Sequence, residues 1–209
     1  EGHYVDRRVI KSAAAPIEPQ GGLVALFGSL APDGAIIKRS AATPSLFERE
    51  GRAVVFSSLD DLAARIDDPK LDVTADDFLI LQNAGPRSAY AMPEAGFLPI
   101  PKTLAQQGVK DMVRMSDARM SGTAFGTIVL HIAPEAAAGG PIGLVRTGDR
   151  IRLSVKNRQL DLLVDDAEMA KRRAAAPTAA DTTGLRGYDR LFRERVTQAP
   201  DGCDFDFCR

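Results

Sequence analysis

Cysteine and histidine are nearly absent from this chain. Of its 209 residues only two are cysteines, Cys203 and Cys208, both within the last seven positions, and only two are histidines, His3 and His131. A structural zinc site wants four nitrogen or sulfur ligands, usually more closely matched in spacing than these. The cysteines therefore read as free cytosolic thiols. Charge of either sign is not in excess: 27 basic and 28 acidic residues leave a net charge of −1. That balance gives no general drive toward nucleic acid or an anionic membrane surface. No apolar run approaches the ~18 residues of a spanning helix. The first residues, Glu1-Gly2-His3-Tyr4-Val5-Asp6-Arg7-Arg8, lack a signal-peptide pattern. These absences point away from nucleic-acid binding, membrane embedding and secretion, and lead to the expectation of a soluble, cytoplasmic protein.

What the chain does have is apolar material in short pieces. It is 44% hydrophobic, enough for a sizeable core in one large domain or two small ones. Nine β-like runs occur, at residues 23–27, 35–38, 53–56, 78–81, 112–115, 127–132, 143–146, 150–155 and 160–164. The first two flank Ala31-Pro32-Asp33-Gly34, where proline presets one turn angle and glycine accepts positive φ. Helices are fewer. Ser58 is a hydroxyl cap followed by Asp60 and Asp61, with Leu62, Arg65 and Ile66 at helical spacing. A short helix over 102–107 stops at Gly108. Asp165 and Asp166 open a third, over 167–174, whose basic residues trail in accord with the macrodipole. Residues 174–183, rich in Ala, Pro and Thr, read as a linker. Beyond it Leu185, Tyr188, Leu191, Phe192 and Val196 form a helical stripe, and the apolar tail 202–207 reads as docked. Many short strands separated by turns imply a β-rich α/β fold: a closed or nearly closed β-structure with helices outside it.

Two loops carry residue types that chemistry would use. The first is Met115-Ser116-Asp117-Ala118-Arg119-Met120-Ser121-Gly122-Thr123-Ala124-Phe125-Gly126, set just before the run 127–132. A serine is a weak base or nucleophile until a neighbour activates it, so Ser121 is either an activated hydroxyl or a turn serine capping backbone. Gly122 and Gly126 either let a ligand approach the backbone or supply positive φ. Thr123 can donate to a substrate hydroxyl or carboxylate, or satisfy local backbone. Asp117 and Arg119 suit an ion pair that holds the loop. The second loop runs from Asn83 to Glu94 after the run 78–81. Glu94 is its lone carboxylate, amid Pro, Gly and apolar residues. It is either a hard oxygen ligand suited to Mg²⁺ or an exposed or capping glutamate. Two adjacent parallel strands joined by a helical crossover would bring both loops to one edge of a sheet. His131 reads as a satisfied structural histidine ending its strand.

These stretches resemble the dihydroxy-acid and sugar-acid dehydratases. The first matches their Ser-Asp-x-Arg-(Met/Phe)-Ser-Gly signature, and Gly85-Pro86 with Met92-Pro93-Glu94 matches their Gly-Pro…Gly-Met-(Pro/Ala)-Glu loop, with Ala91 where the family usually has Gly. Gly21-Gly22-Leu23, Gly28-Ser29-Leu30-Ala31-Pro32-Asp33-Gly34-Ala35 and the run His131 to Ala136 also match. The ending Gly202-Cys203-Asp204-Phe205-Asp206-Phe207 resembles the sugar-acid branch, of the arabinonate or xylonate type.

The resemblance implies a hydro-lyase that converts a 2,3-dihydroxy sugar acid to a 2-keto-3-deoxy acid, using an iron–sulfur cluster and a Mg²⁺ ion. It implies that Ser121 is the base, Glu94 a metal ligand, and Thr123 and Gly122 substrate contacts. It further implies a β-barrel domain of the swivelling type over residues 1–174, with flanking helices, and a linker, helix and docked tail over 175–209. The family's cluster cysteines lie in an N-terminal α/β domain absent from this chain, so the chain alone is expected to hold no cluster and to be inactive. Dimers or tetramers are expected. A branched-chain dihydroxy-acid dehydratase is the nearest alternative, then a phosphogluconate dehydratase. A stand-alone β-barrel binding module is the alternative from another class.

Overall fold

The apolar runs become eight strands of one mixed sheet: β1 (Val24–Leu26), β2 (Gly34–Ile37), β3 (Glu48–Phe56), β4 (Phe78–Leu81), β5 (Arg114–Ser116), β6 (Ile128–Ala133), β7 (Arg150–Ser154) and β8 (Gln159–Leu162). The structure, a computed structural model, describes residues 5–92, 98–123, 125–176 and 182–208. The spatial order is β1-β2-β6-β5-β4-β3-β7-β8. Strands β3, β4, β5 and β6 run parallel; β1–β2, β2–β6, β3–β7 and β7–β8 pair antiparallel. The two edges nearly meet. Phe27 bridges Gln159, its N–H donating to the Arg158 carbonyl at 2.9 Å while Leu160 N–H donates to the Phe27 carbonyl at 2.8 Å. This is a nearly closed β-barrel, as the strand count implied.

Side-chain alternation divides the apolar residues between two cores. Ala53, Phe78, Ile80, Met115, Val129, Ile151, Leu153 and Leu160 point into the barrel. Val54, Phe56, Leu79, Leu81, Ile128 and Leu130 point outward, where Leu62, Ile66 and Leu104 cover them. Leu62 and Leu104 come from the helices α1 (Leu59–Arg65) and α2 (Lys102–Gln106), and Ile66 directly follows α1. The Ser58 hydroxyl caps α1 by accepting Asp61 N–H, and Gly108 (φ +90°) follows the end of α2. Helix α3 (Asp166–Ala175) is capped by Asp165, which accepts Glu168 N–H. Its buried Arg172 reaches the Leu144 carbonyl at 3.0 Å and the Asp149 carboxylate. Gly34 takes φ +114° at the β1–β2 turn, as its place after Asp33 required.

Some expectations differ from the outcome. Residues 143–146 form no strand: Pro141–Leu144 is a 3₁₀ turn, begun by a proline without an N–H, and it buries Pro141, Ile142 and Leu144. Strand β3 starts five residues early, at Glu48; its charged half pairs with β7 with one flank in solvent, and Arg152 meets Glu50 across the strands at 2.7 Å. The stripe before the tail does form a helix, α4 (Gly187–Arg195). Of its apolar residues Tyr188 stays 67% and Leu191 41% exposed, so α4 packs on the tail rather than the barrel. Phe192 meets Phe205 edge-on at 6.0 Å, and Phe205 stacks on Phe207 at 5.1 Å. Only Val196, just past the helix, is fully buried; it bridges Phe205. Half of the expected linker, residues 177–181, lies outside the described residues. No described helix is long and apolar enough to cross a membrane.

Candidate active site

Four parallel strands end on one edge of the sheet, the place where open α/β sheets put their ligands. The loops leaving β4, β5 and β6 there are residues 82–92, 117–127 and 134–140. Strands β4 and β5 are neighbours, with α2 on the crossover between them. This is the arrangement expected for the two loops the sequence singled out. Glu94 itself lies outside the described residues.

Two buried carboxylates stitch these loops together. Asp117, 1% exposed, accepts Ala84 N–H from the β4 loop and Ala136 N–H from the β6 loop, each at 2.9 Å. Its ion-pair reading is corrected: among the described residues its partners are backbone amides, not the Arg119 guanidinium. Burial pushes its carboxyl up to about 6, against the pull of its N–H donors. Glu135, also 1% exposed, accepts Arg87 N–H at 3.0 Å and the Gln198 side-chain amide at 2.7 Å. Its own N–H donates to Gln198 Oε1 at 2.9 Å. Burial, with the Asp117 charge adding to it, pushes Glu135 up to about 7. Gly85 is required at this junction, since a Cβ there would lie 2.3 Å from Glu135 Oε2. The tail completes the clamp: Arg87 Nε donates to the Val196 carbonyl at 3.0 Å, and Cys203 Sγ lies 3.4 Å from Met92 Sδ. Ala91 and Met92 both take left-handed φ, +49° and +56°. This explains the usefulness of a glycine at position 91.

Ser121 sits in the β5 loop, 8% exposed. Its Oγ lies 2.9 Å from Thr123 Oγ1 and accepts Thr123 N–H at 3.2 Å. The loop is fastened on both sides of it. His131 Nε2 accepts Met120 N–H at 2.9 Å, and Lys38 Nζ donates to the Gly122 carbonyl at 2.6 Å. His131 is thus a satisfied structural residue as read, although it stands within β6 rather than at its end. Among the described residues a Cβ at Gly122 would meet nothing within 4 Å, so no described neighbour accounts for that glycine. Gly126 does need to be glycine: its φ is +94°, and a Cβ would fall 2.1 Å from an Arg114 nitrogen. A concavity of about 550 Å³ lined by Pro19, Arg39, Phe47, Lys156 and Arg158 shares none of these site residues.

The described residues do not fit an iron–sulfur cluster. Cys203 and Cys208 are free; burial and the nearby Glu135 charge raise the Cys203 thiol, which disfavours the thiolate a cluster needs. No group of three described His, Cys, Asp or Glu side chains is placed to hold a metal ion.

The sequence profile of the dihydroxy-acid/6-phosphogluconate dehydratase C-terminal domain matches residues 8–203. The chain belongs to this family. Similar proteins include a 6-deoxy-6-sulfo-D-gluconate dehydratase of Pseudomonas putida, 52% identical over 97% of the chain and 35% of the relative. An L-arabonate dehydratase of Azospirillum brasilense is 49% identical over 99% of the chain and 36% of the relative. A dihydroxy-acid dehydratase of Oleidesulfovibrio alaskensis is 40% identical over 94% and 35%. The chain spans about a third of the length of these dehydratases.

Within this dehydratase domain, four residues that hold the site had no role in the sequence reading: Glu135, Gln198, Lys38 and, as a loop anchor, His131. Glu135 carried the same cue as Glu94, a lone carboxylate in an Ala- and Pro-rich segment just after a strand. Gln198 and Lys38 act across 63 and 84 residues of chain, and nothing local marks them.

Proposed function

We propose that this domain supplies the proton-abstracting side of a sugar-acid dehydratase site, working with a further region such as its longer relatives possess. In that reaction the C2 proton of a 2,3-dihydroxy acid passes to Ser121 Oγ, the C3–O bond breaks as the hydroxyl takes up a proton and departs as water, Ser121 giving back the proton it gained, and the resulting enol tautomerises to a 2-keto-3-deoxy acid. The observation that carries this reading is the hydrogen bonding at Ser121. Its Oγ accepts the Thr123 N–H and lies within hydrogen-bond distance of the Thr123 hydroxyl. The Thr123 N–H donates to this oxygen and the Thr123 hydroxyl is placed to donate as well once Ser121 gives up its proton, which favours the deprotonated form, as an oxyanion hole does. Substrate would approach at Gly122, and Thr123 is near enough to serve both Ser121 and a substrate oxygen. Phe125, 75% exposed beside this loop, suits a surface that a further region covers.

The sugar-acid preference rests on the relatives: those named for arabonate and sulfogluconate are 49% and 52% identical, against 40% for the dihydroxy-acid dehydratase. Ligands for the iron–sulfur cluster and the Mg²⁺ ion that the family resemblance implies would come from outside the described residues, Glu94 among them.

The test is keto-acid formation by this chain joined to the region its relatives carry, over a panel of aldonic acids and dihydroxy-isovalerate. Activity on an aldonic acid, abolished by Ser121→Ala with iron content unchanged, is the expected result. Full activity of Ser121→Ala would reduce Ser121 to a turn residue. Reaction with dihydroxy-isovalerate alone would move the substrate to the branched-chain class. Silence across the whole panel, with iron bound, would favour a non-catalytic binding module.

A further inference from the structure

We infer that His131 is a positioning residue for Ser121: a bulge in β6 turns its imidazole onto the Met120 amide and so sets where the Ser121 hydroxyl stands. The inference rests on the reading of Ser121 as the base.

The bulge is visible in two independent ways. In the register between β2 and β6, Gly34 faces Ala133 but Ile36 faces Leu130, so two steps of one strand span three of the other. The packing parity breaks at the same point. Ile128 and Leu130 lie in the outer core and Val129 in the inner one, yet Ile132, which strict alternation would send outward, lies in the inner core. The extra residue is accommodated at His131, whose φ of +55° is left-handed. A non-glycine residue there carries a cost of roughly 1–2 kcal/mol, and such strain persists where the surroundings hold it in place. Bulges of this kind re-aim a side chain beside a site.

Here the re-aimed group has a specific target. The His131 backbone N–H donates to the Ala118 carbonyl at 2.9 Å, and Nε2 accepts Met120 N–H at 2.9 Å. One strand residue therefore grips the loop at two points, three residues and one residue before Ser121. To accept, Nε2 must be unprotonated, which places the ring proton on Nδ1. Burial and the Arg119 charge hold this imidazole below its ordinary value, so the neutral acceptor is the resting form. On the other side of Ser121 the Lys38 ammonium holds the Gly122 carbonyl. Displacing a reacting group by about 1 Å can cost on the order of 100-fold in rate, so such a grip has functional value apart from stability.

Two variants separate positioning from plain structure. His131→Asn suits left-handed backbone but cannot reach where Nε2 stands; His131→Gln fits the backbone less well but can place its carbonyl oxygen there. Positioning predicts that Gln keeps kcat within about threefold of the parent. Asn should lose at least about tenfold in kcat with KM little changed, and show a larger isotope effect with C2-deuterated substrate, despite melting no lower than Gln. A purely structural role predicts the reverse, activity following melting temperature with Asn at or above Gln, and that result would overturn the inference. A second readout needs no activity. In the 209-residue chain, exchange of the Met120 amide should be slow in the parent and in Gln but fast in Asn; protection retained in Asn would overturn the inference even if Ser121 is the base. Conversely, an active Ser121→Ala enzyme would refute the base reading while leaving the Met120 result intact.

Discussion

The two buried carboxyls that tie the site loops should make the domain less stable as pH rises from about 4 to about 7. Asp117 is raised from 3.8 to about 6 and Glu135 from 4.5 to about 7, both chiefly by burial. A raised carboxyl keeps its proton in the folded chain at a pH where the unfolded chain has released it. Folding is therefore favoured below this window and loses that advantage as pH climbs through the folded-state values. At 1.36 kcal/mol per unit, each group amounts to roughly 3 kcal/mol by pH 8. Even half of the combined effect is large beside a typical folding free energy of about 5–15 kcal/mol. Other groups act the opposite way. Asp61, Asp77 and Asp111 are lowered, so their contribution is lost only as pH falls below their ordinary 3.8. His131 is lowered too, and works against folding as pH falls through its ordinary 6.5. The clean measurement is thus a difference: urea unfolding of the parent and of Glu135→Gln at pH 5 and pH 8. Glu135→Gln removes the titrating group at nearly constant shape. The parent should lose more stability than the variant between the two pH values, by roughly 2–3 kcal/mol, the share that Glu135 titrates in that interval. Equal losses in both proteins, or a parent more stable at pH 8 than at pH 5, would refute the electrostatic account of this edge.

Three further substitutions probe the framework by urea unfolding. Gly85→Ala places a methyl against the Glu135 carboxylate and should cost about 1–3 kcal/mol as overpacking, with faster amide exchange at Arg87; an unchanged protein would mean the loop yields freely. Arg172→Ala leaves Asp149, whose side chain is 10% exposed, without its guanidinium and should cost about 3–5 kcal/mol, whereas a loss under about 1 kcal/mol would show the pair to be solvent-screened. Ser58→Ala removes the α1 cap and should cost about 1 kcal/mol, with Ser58→Gly costing less; the opposite order would point to a role other than capping.

The residues that could be read from sequence are those whose neighbours in space are also neighbours in the chain. The Ser58 cap, the Gly34 turn, the strand–helix–strand unit from β4 to β5 and the serine loop all follow from local rules. What escaped depends on distant pairing. The charged half of β3 looks like a loop until β7 lies beside it. Residues 143–146 look like a strand until Pro141, lacking an N–H, opens a 3₁₀ turn that takes in the first two of them. Asp117 beside Arg119 suggests an ion pair, but burial among backbone N–H groups from two other loops decides its partners. For the same reason His131 is legible as a structural residue yet not as an anchor. Its strand is an apolar run broken only by His131, and an inserted residue leaves little mark there because the residues on both sides of it are buried on both faces of β6. The register against β2 and the parity of Ile132 against Leu130 show it, and both have meaning only once the strands are paired and each residue is assigned to one of two cores. A fully buried strand can therefore hide a bulge in its sequence, whereas a half-exposed strand would betray it by a polar residue out of phase.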